Sequence, residues 1–413
     1  STSNIQAIID QIKQDIWTRR PILEDIMTKH GNKTLYDYAK DFLDVNPAPL
    51  LDTRKSELID TVKELLTVRL GSTVASEVAE QLRKLPLVST ADHHGPINNP
   101  YWTNCNIITA LPSYNSNENN LKYIIDFSFA SISMNNASAF PRGIELHSNL
   151  NNPKYIRLPI FPDKLKMSVV YATRAFNEED IQKAILELNK KQKEYDMPDA
   201  RKEMLIEYIN KYYRDSDTLS AQDFNSQITK INFKLWPKLF HKESGEANEE
   251  IPNLIYLEIE TIITELLIKY HLNNPNSLIN KLLFNPNYQK LVFKYFDSIP
   301  GSFSLENKWG TYMFWGIDEK GHRVPLMLEN GKLHSPEFEF DYTFNGEEMT
   351  NALRNKKIFP SMLLSYLITS LYYGMKCLGG FCQVNDLTFT KYAWQNFLRE
   401  IGENNEAEAI EPI

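Results

Sequence analysis

The spacing of hydrophobic residues changes several times along the chain, and this change of period constrains the fold more than any single motif. In the first 85 residues apolar side chains recur every three or four positions, which is the spacing of one helix face. The clearest stripe consists of five isoleucines, Ile5, Ile8, Ile9, Ile12 and Ile16. Between residues 86 and 175 alternation replaces this spacing, most clearly at 123–130, and alternation predicts strands. Helical spacing returns at 177–299, and strand and turn signals follow at 300–345.

These periods predict an α+β fold. It comprises an N-terminal helical layer, a central antiparallel or mixed sheet, a helical middle region and a C-terminal strand–helix unit. Each amphipathic helix has an apolar face that must pack on something, so we expect the first helices to cover the sheet. We divide the chain into an N-terminal helical region (1–85), a central sheet with helices (86–245), a helical and hairpin region that completes the same core (246–400) and an acidic tail (401–413).

Local signals give more specific expectations. Further strands are predicted at 143–147, 155–161 and 168–172, and a β-hairpin at 312–328. Asn177, followed by three acidic residues, is expected to cap a helix. Two long apolar stretches, at 255–267 and 358–375, predict buried helices. Polar residues at 242–250 indicate an exposed linker, and residues 400–413, which hold five glutamates and no basic residue, a solvated and frayed end.

Composition excludes several classes of protein. The 413 residues are 42% hydrophobic and 24% charged, with a net charge of −8, so the chain is globular and its surface is acidic. A nucleic-acid coat or an anionic-membrane binder needs a basic surface, and we expect neither partner. Three cysteines cannot form a disulfide framework, and no signal peptide is visible. These features predict a cytoplasmic protein.

The densest polar cluster is Asp92-His93-His94, directly after the short apolar run 85–88. Aspartate and histidine bind divalent metals and exchange protons near neutral pH. We therefore identify His93 and His94 as candidate catalytic residues, and Asp92, His93 and His94 as candidate ligands of a divalent metal of unknown identity. The alternative is a polar loop in which one histidine is hydrogen-bonded to backbone.

The triplet is similar to that of the DHH phosphoesterases, whose acidic motifs lie upstream of it at the ends of parallel strands. Here the preceding 85 residues read as helical, and no aspartate pair of the Asp-x-Asp kind follows a strand. The match covers three residues of 413, so we interpret it as a coincidence.

Two further clusters complete the candidate site. His147 is a candidate third ligand or general base, and Arg142 a fixed cation for a carboxylate or phosphate. Gly379, Gly380 and Gln383, which lie between and beside two cysteines, are candidate substrate-binding residues, since paired glycines allow close backbone approach. The alternatives are a surface arginine with a turn histidine, and a helix cap that serves packing alone.

The sequence contains none of the standard nucleotide-loop, nucleophile-elbow or zincin motifs. We therefore expect a soluble enzyme that acts on a small polar or anionic molecule through the Asp92-His93-His94 cluster. The reaction would be metal-assisted or acid–base, with hydrolysis as the default class. The alternative is a non-catalytic binding or interaction protein in which the clusters are structural turns. The oligomeric state is open.

Overall fold

The computed structural model of the chain describes residues 2–43, 45, 48–97, 100–114, 121–149, 151–240, 251–335 and 337–413. The first six helices are α1 (Thr2–Arg19), α2 (Pro21–His30), α3 (Leu35–Leu43), α4 (Pro49–Asp52), α5 (Lys55–Leu70) and α6 (Ser72–Lys84). They are followed by β1 (Leu87–Ser89), α7 (Pro100–Tyr114), β2 (Tyr123–Ser128), β3 (Gly143–His147), β4 (Tyr155–Pro159), α8 (Glu178–Glu194), α9 (Asp199–Tyr212), α10 (Ser216–Leu219) and α11 (Phe224–Leu235).

The second half of the chain continues this mixture of helices and strands. It contains β5 (Asn253–Glu258), α12 (Ile259–Leu266), α13 (Leu278–Phe284), α14 (Pro286–Phe296), β6 (Phe303–Ser304), β7 (Trp309–Gly310), β8 (Phe314–Ile317), β9 (Arg323–Pro325), β10 (Met327–Glu329), β11 (Lys332–Ser335) and β12 (Phe340–Thr343). The last elements are α15 (Gly346–Arg354), β13 (Ile358–Pro360), α16 (Met362–Tyr366), β14 (Lys376–Leu378), α17 (Phe381–Glu400) and α18 (Asn404–Ala409).

A four-stranded parallel sheet organises the molecule, with strand order β14-β1-β2-β5. Antiparallel pairing is found in the smaller sheets, for example between β3 and β4 and between β8 and β9. Parallel neighbours need crossover connections, and the helices that supply them lie on both faces of the sheet. The α+β prediction is confirmed.

The sheet separates two hydrophobic cores because successive side chains of a strand point to opposite faces. Ile125 and Phe127 of β2 enter the core shared with α5, α6 and α12. Ile124 points the other way, into the core shared with α8, α9 and α11. Both faces of the parallel strands are therefore covered, and residues 123–128 are all buried.

Several local predictions are confirmed. Strands form at 143–147 and 155–159, and β8 pairs with β9 as the predicted hairpin. Asn177 caps α8 through a capping box: its side chain accepts from the backbone N–H of Asp180, whose side chain in turn accepts from the backbone N–H of Asn177. The predicted linker at 242–250 lies outside the described residues. The domain boundaries at 85, 245 and 400 stay predictions.

Two buried stretches combine a strand with a helix where the sequence predicts one helix. Ile255 and Leu257 lie in β5, and only from Ile259 onward is the chain helical. Residues 358–375 begin with β13 before α16 and a π-helical turn at Leu367–Tyr372. A strand buried on both faces is a continuous apolar run, so its spacing does not distinguish it from a buried helix. A predicted strand at 168–172 is a 3₁₀ turn, Val170–Ala172. None of the described helices is both long enough and apolar enough to span a membrane.

The expectation of a frayed C-terminus is wrong, because α18 is part of the core. Ala407 and Ile410 have no exposed surface. Glu406, which is also buried, forms an ion pair with Arg54, and Nη2 of Arg54 lies 2.6 Å from Oε2 of the glutamate. The charge of Glu406 is therefore compensated by a cation more than 350 positions away.

The expected packing of the first helix is also wrong. The five isoleucines of α1 are 40–60% exposed, and every residue from Asn4 to Ile16 is exposed. Within the N-terminal region, the helices whose apolar faces pack on the sheet include α5 and α6, through residues such as Val62 and Leu82.

Because Ile410 is fully buried, Ile410→Ala should lower the free energy of unfolding by about 2–5 kcal/mol, the usual cost of a large-to-small core change. Urea unfolding followed by circular dichroism measures this loss. Glu408→Ala, at an exposed position of α18 two residues before Ile410, is the matched control and should change the free energy by less than about 0.5 kcal/mol. Equal effects of the two changes would contradict a packed C-terminus.

Candidate functional site

The cluster Asp92-His93-His94 lies at the edge of the sheet where the parallel strands end. It follows β1, which ends at Ser89, and lies beside the ends of β2 and β14. In open parallel sheets ligands bind in the crevice outside the carboxyl ends of the strands, at the point where the strand order reverses. From β1 the chain continues to β2 on one side of β1, whereas β14 pairs with β1 on its other side. The strand order therefore reverses at β1.

A cavity of about 240 Å³ lies in this crevice, between the ends of β1 and β14 and the helices α3, α7 and α17. Its lining is mostly apolar with a few polar groups, as is usual for small-molecule sites. The lining residues that matter below are Ser89, Ala91, Cys105, Lys376 and Gly379.

The predicted glycine cluster reaches this crevice. Gln383, in the first turn of α17, donates a hydrogen bond from Nε2 to Oγ1 of Thr90, over 2.6 Å. Its side chain crosses Gly379 so closely that a Cβ there would lie 2.0 Å from Cδ of Gln383. A side chain at position 379 would therefore displace the amide of Gln383 from its contact with Thr90. Gly380 is the N-cap of α17 and has open space beside it.

Arg142 and His147 lie elsewhere and do not line the cavity. The guanidinium of Arg142 donates to the carbonyl oxygen of Phe161, over 2.9 Å, and forms an ion pair with Asp163. His147 is at the exposed end of β3, with its ring near that of Tyr155. The glycine cluster is therefore brought next to Thr90, two residues before Asp92, whereas the Arg142 and His147 cluster is not. Asp92, His93 and His94 are themselves not among the lining residues of the cavity.

His94 is fully buried and is engaged at both ring nitrogens. Nδ1 lies 2.6 Å from Oγ of Ser128, and Nε2 lies 3.4 Å from the carbonyl oxygen of Asn225. The Ser128 hydroxyl also lies 3.3 Å from the carbonyl oxygen of Leu257, to which it donates. Burial lowers the pKa of His94 to about 4, so the ring is neutral at pH 7.

Ser128, His94 and Glu258 are similar in composition to a catalytic serine–histidine–acid set. Nε2 of His94 is 3.6 Å from Glu258. However, the three side chains are at most 1% exposed, and Arg69 binds both carboxylate oxygens of Glu258, at 2.6 and 2.7 Å. No substrate can reach the serine in this arrangement, so the network ties β2, β5, α5 and α11 together.

The three side chains of the predicted metal site have different partners. Nδ1 of His93 lies 3.2 Å from Oδ1 of Asn136, whereas Asp92 accepts hydrogen bonds from Asn106 and Tyr256. In the part of the chain that the structure describes, no group of three or more His, Cys, Asp and Glu side chains is placed to hold a metal ion. A bound divalent metal stays a prediction.

A pair of buried carboxyl groups, Asp92 and Asp126, is the most perturbed feature of this edge. Asp126 lies beside Asp92 and Ser89, and its oxygens have no further hydrogen-bond partner among the described residues. Burial raises the pKa of both carboxyls, that of Asp92 to about 6, and the negative charge of Asp92 raises the pKa of Asp126 further, whereas the hydrogen bond from Asp126 lowers the pKa of Asp92. Two carboxylates side by side cannot both be ionised at neutral pH, so the pair holds one shared proton.

The carboxyl pair adjoins the cavity through two lining residues. Ser89 lies against Asp126, and Cys105 is close enough that the charges of Asp92 and Asp126 add to the effect of burial and raise the pKa of its thiol to about 11. Cys377, on the other side of the crevice, has a pKa raised to about 12 by burial. Both thiols are protonated at pH 7 and are poor nucleophiles.

Asp126 is not among the site residues predicted from the sequence, although its position in an apolar strand marks it. It is the only charged residue in the strand Tyr-Ile-Ile-Asp-Phe-Ser, all of which is buried. A single carboxylate in a strand that is otherwise suited to a core is costly unless it is paired or protonated, and such a residue is a functional candidate.

Comparison with known proteins gives no further identification. No family model matches the chain, and no curated protein matches it. The function is therefore inferred from the geometry of the site.

Asp126→Asn should stabilise the protein increasingly as the pH rises. In the wild type the pKa of Asp126 is higher in the folded state than in the unfolded state, so folding binds a proton, and stability falls from about pH 4 upward by as much as ~1.4 kcal/mol per pH unit. Asparagine does not titrate and can donate to Asp92. Urea unfolding of both proteins between pH 5 and pH 8 measures the difference.

Asp25→Asn, an exposed aspartate on α2, provides the matched control and should give a difference that changes little with pH. A difference between wild type and Asp126→Asn that is constant across this range would mean that Asp126 folds as an ordinary ionised carboxylate.

Proposed function

We propose that the protein is an enzyme that binds a small polar molecule in the cavity between β1 and β14 and exchanges a proton with it. The observation that carries this proposal is the position of the Asp92–Asp126 pair directly behind the cavity lining. General acids and bases act best when their pKa is close to the working pH, and burial raises the pKa of these carboxyls toward neutral pH. Perturbed groups beside a cleft are the usual mark of an active site.

Ser89 connects the pair with the ligand in this proposal. Ser89 lines the cavity and lies beside Asp126, and a hydroxyl both donates and accepts hydrogen bonds. It can therefore pass a proton between Asp126 and a bound molecule while both carboxyls stay buried. Hydrolysis remains the default reaction, since a carboxylate that accepts a proton from water creates the nucleophile.

The polar lining favours a ligand with an electronegative or anionic group. Lys376 contributes a positive charge to the cavity lining. The 20-residue helix α17 begins at Phe381, next to Gly379 and Gly380, and its N-cap supplies no side-chain hydrogen bond. The backbone N–H groups of such a helix start attract negative charge. Both features lie on the β14 side of the crevice, opposite the carboxyl pair.

Three free cysteines, Cys105, Cys377 and Cys382, support a cytoplasmic location, because reducing compartments keep thiols unpaired.

The rival function is binding without chemistry. It is favoured by the burial of the carboxyl pair, since neither Asp92 nor Asp126 is more than 1% exposed. The two functions differ in whether the bound molecule is transformed.

The test begins with capture of a ligand. We would incubate the protein with the small-molecule fraction of a cell extract, remove unbound compounds by gel filtration and identify what is retained by mass spectrometry after denaturation. Wild type should retain a compound, and Ala91→Leu, which fills the cavity, should lose it. Ala200→Leu, on the exposed first turn of α9, is the matched control and should retain it.

Turnover of the retained compound then separates catalysis from binding. Ser89→Ala and Asp126→Asn should keep the compound but slow its conversion by about 10²–10⁴-fold, the usual contribution of a positioned acid or base. Conversion at an unchanged rate would remove the proton-transfer proposal. Retention by wild type without any conversion would establish the rival function.

A further inference from the structure

The strand β14 forms one wall of the cavity and is held in the parallel sheet from one side only. It lies at the edge of the sheet, and three residue pairs join it to β1. Its residues are half-buried, whereas those of β1 are buried. Residues 376–379, which are β14 and the glycine after it, line the cavity. A displacement of this strand would therefore change the width of the cavity.

Glycines lie on both sides of β14. Gly374 precedes the strand with a φ of +75°, in the left-handed region that favours glycine. Gly379 and Gly380 follow the strand, and a Cβ at Gly380 would meet open space. Hinges are often a few small residues at the ends of an element that absorb changes in φ and ψ. We call residues 374–380, with a glycine at each end, the strap.

The chain is anchored on both sides of the strap. The phenol of Tyr373 donates to Glu57 over 2.7 Å and lies 2.8 Å from Nε2 of His271. The guanidinium of Arg54 lies 4.2 Å from the ring centroid of Tyr372. After the strap the chain enters the 20-residue helix α17. Movement of the strap would leave both anchors in place.

Thr90 fastens the strap to the body of the protein. Its backbone N–H donates to the carbonyl oxygen of Leu378 over 2.8 Å, and its hydroxyl donates to the same oxygen over 3.3 Å. The hydroxyl also accepts from Nε2 of Gln383, over 2.6 Å. Two of these three hydrogen bonds depend on the threonine side chain. Because a single hydrogen bond contributes little net free energy, a latch of this size can open and close reversibly.

We propose that the strap is a movable wall that swings away from β1 to admit a ligand and closes over it, with Thr90 and Gln383 as its latch. Lys376 belongs to the strap and lines the cavity, so an anionic group in the cavity favours the closed position over the open one. This role rests on the proposed function, because it assumes that the cavity is the binding site. It assigns Gln383 to ligand entry and not to ligand contact.

Cys377 lies within the strap and reports its opening. Cys105→Ala/Cys382→Ala removes the other two cysteines, and mass spectrometry then measures the rate at which N-ethylmaleimide labels Cys377 at constant pH. Thr90→Val, which keeps the shape of the side chain but not its hydroxyl, should raise this rate about five- to tenfold, the effect of a lost hydrogen bond on the population of the open state.

Two further variants break the latch from the side of α17. Gln383→Ala removes the donor to Thr90, and Gly379→Ala displaces the amide of Gln383, so both should also accelerate labelling. Asn396→Ala, at an exposed position of the same helix, is the matched control and should leave the rate unchanged.

The urea dependence of labelling separates opening of the strap from unfolding of the protein. A local opening exposes little surface, so its rate should change little in low urea, whereas labelling through global unfolding rises steeply. A steep dependence would overturn the proposal, as would a labelling rate that none of the three latch variants changes. The measurement uses no ligand. A protein that retains no compound would therefore refute the proposed function without altering the result for the strap.

Discussion

The parallel pairing of β1 with both β2 and β14 is the constraint on which the rest of the structure depends. It places Ser89 opposite Asp126 on one side and opposite Leu378 on the other, although these residues are far apart along the chain. Parallel strands end at the same edge, so the polar residues that follow them are gathered there. The helices that make the crossovers then bury that edge from both faces. Every polar group at the edge must consequently find a partner inside the protein or lose its charge.

Three of the acidic side chains at this edge, Glu258, Glu260 and Asp126, satisfy that requirement in different ways. Glu258 is buried, but Arg69 outweighs the effect of burial and lowers its pKa to about 2. Glu260 accepts from the backbone N–H groups of Ala130 and Ser131, yet burial still raises its pKa to about 7. Asp126 has neither a cation nor such donors and is the most strongly raised. Charge compensation decreases from the β5 side toward the cavity, so the carboxyl that keeps its proton at neutral pH lies closest to the crevice.

The sequence predicts elements whose signal is local. The helices of the first 85 residues, the hairpin of β8 and β9 and the cap at Asn177 each follow from spacing or from turn chemistry within a few residues. The C-terminal segment could not be predicted in this way, since its burial depends on Arg54, and neither could the strand β5, whose apolar run continues directly into α12. For α1 the pattern correctly gave an amphipathic helix, but amphipathicity does not say whether the partner of the apolar face belongs to the same chain.

The candidate site shows the same division between local and topological information. The cluster that contains Gly379 and Gln383 meets Thr90, just before the triplet, because β1 and β14 are neighbours. The Arg142 and His147 cluster is separate because β3 pairs with β4 in another sheet. Strand order is not encoded in residue spacing, so convergence of three clusters could only be assumed. Within the triplet, moreover, the residue type is a poor guide to chemistry. Desolvation keeps His94 neutral, so this residue has a structural role. The proton that a histidine was expected to carry is instead shared by Asp92 and Asp126.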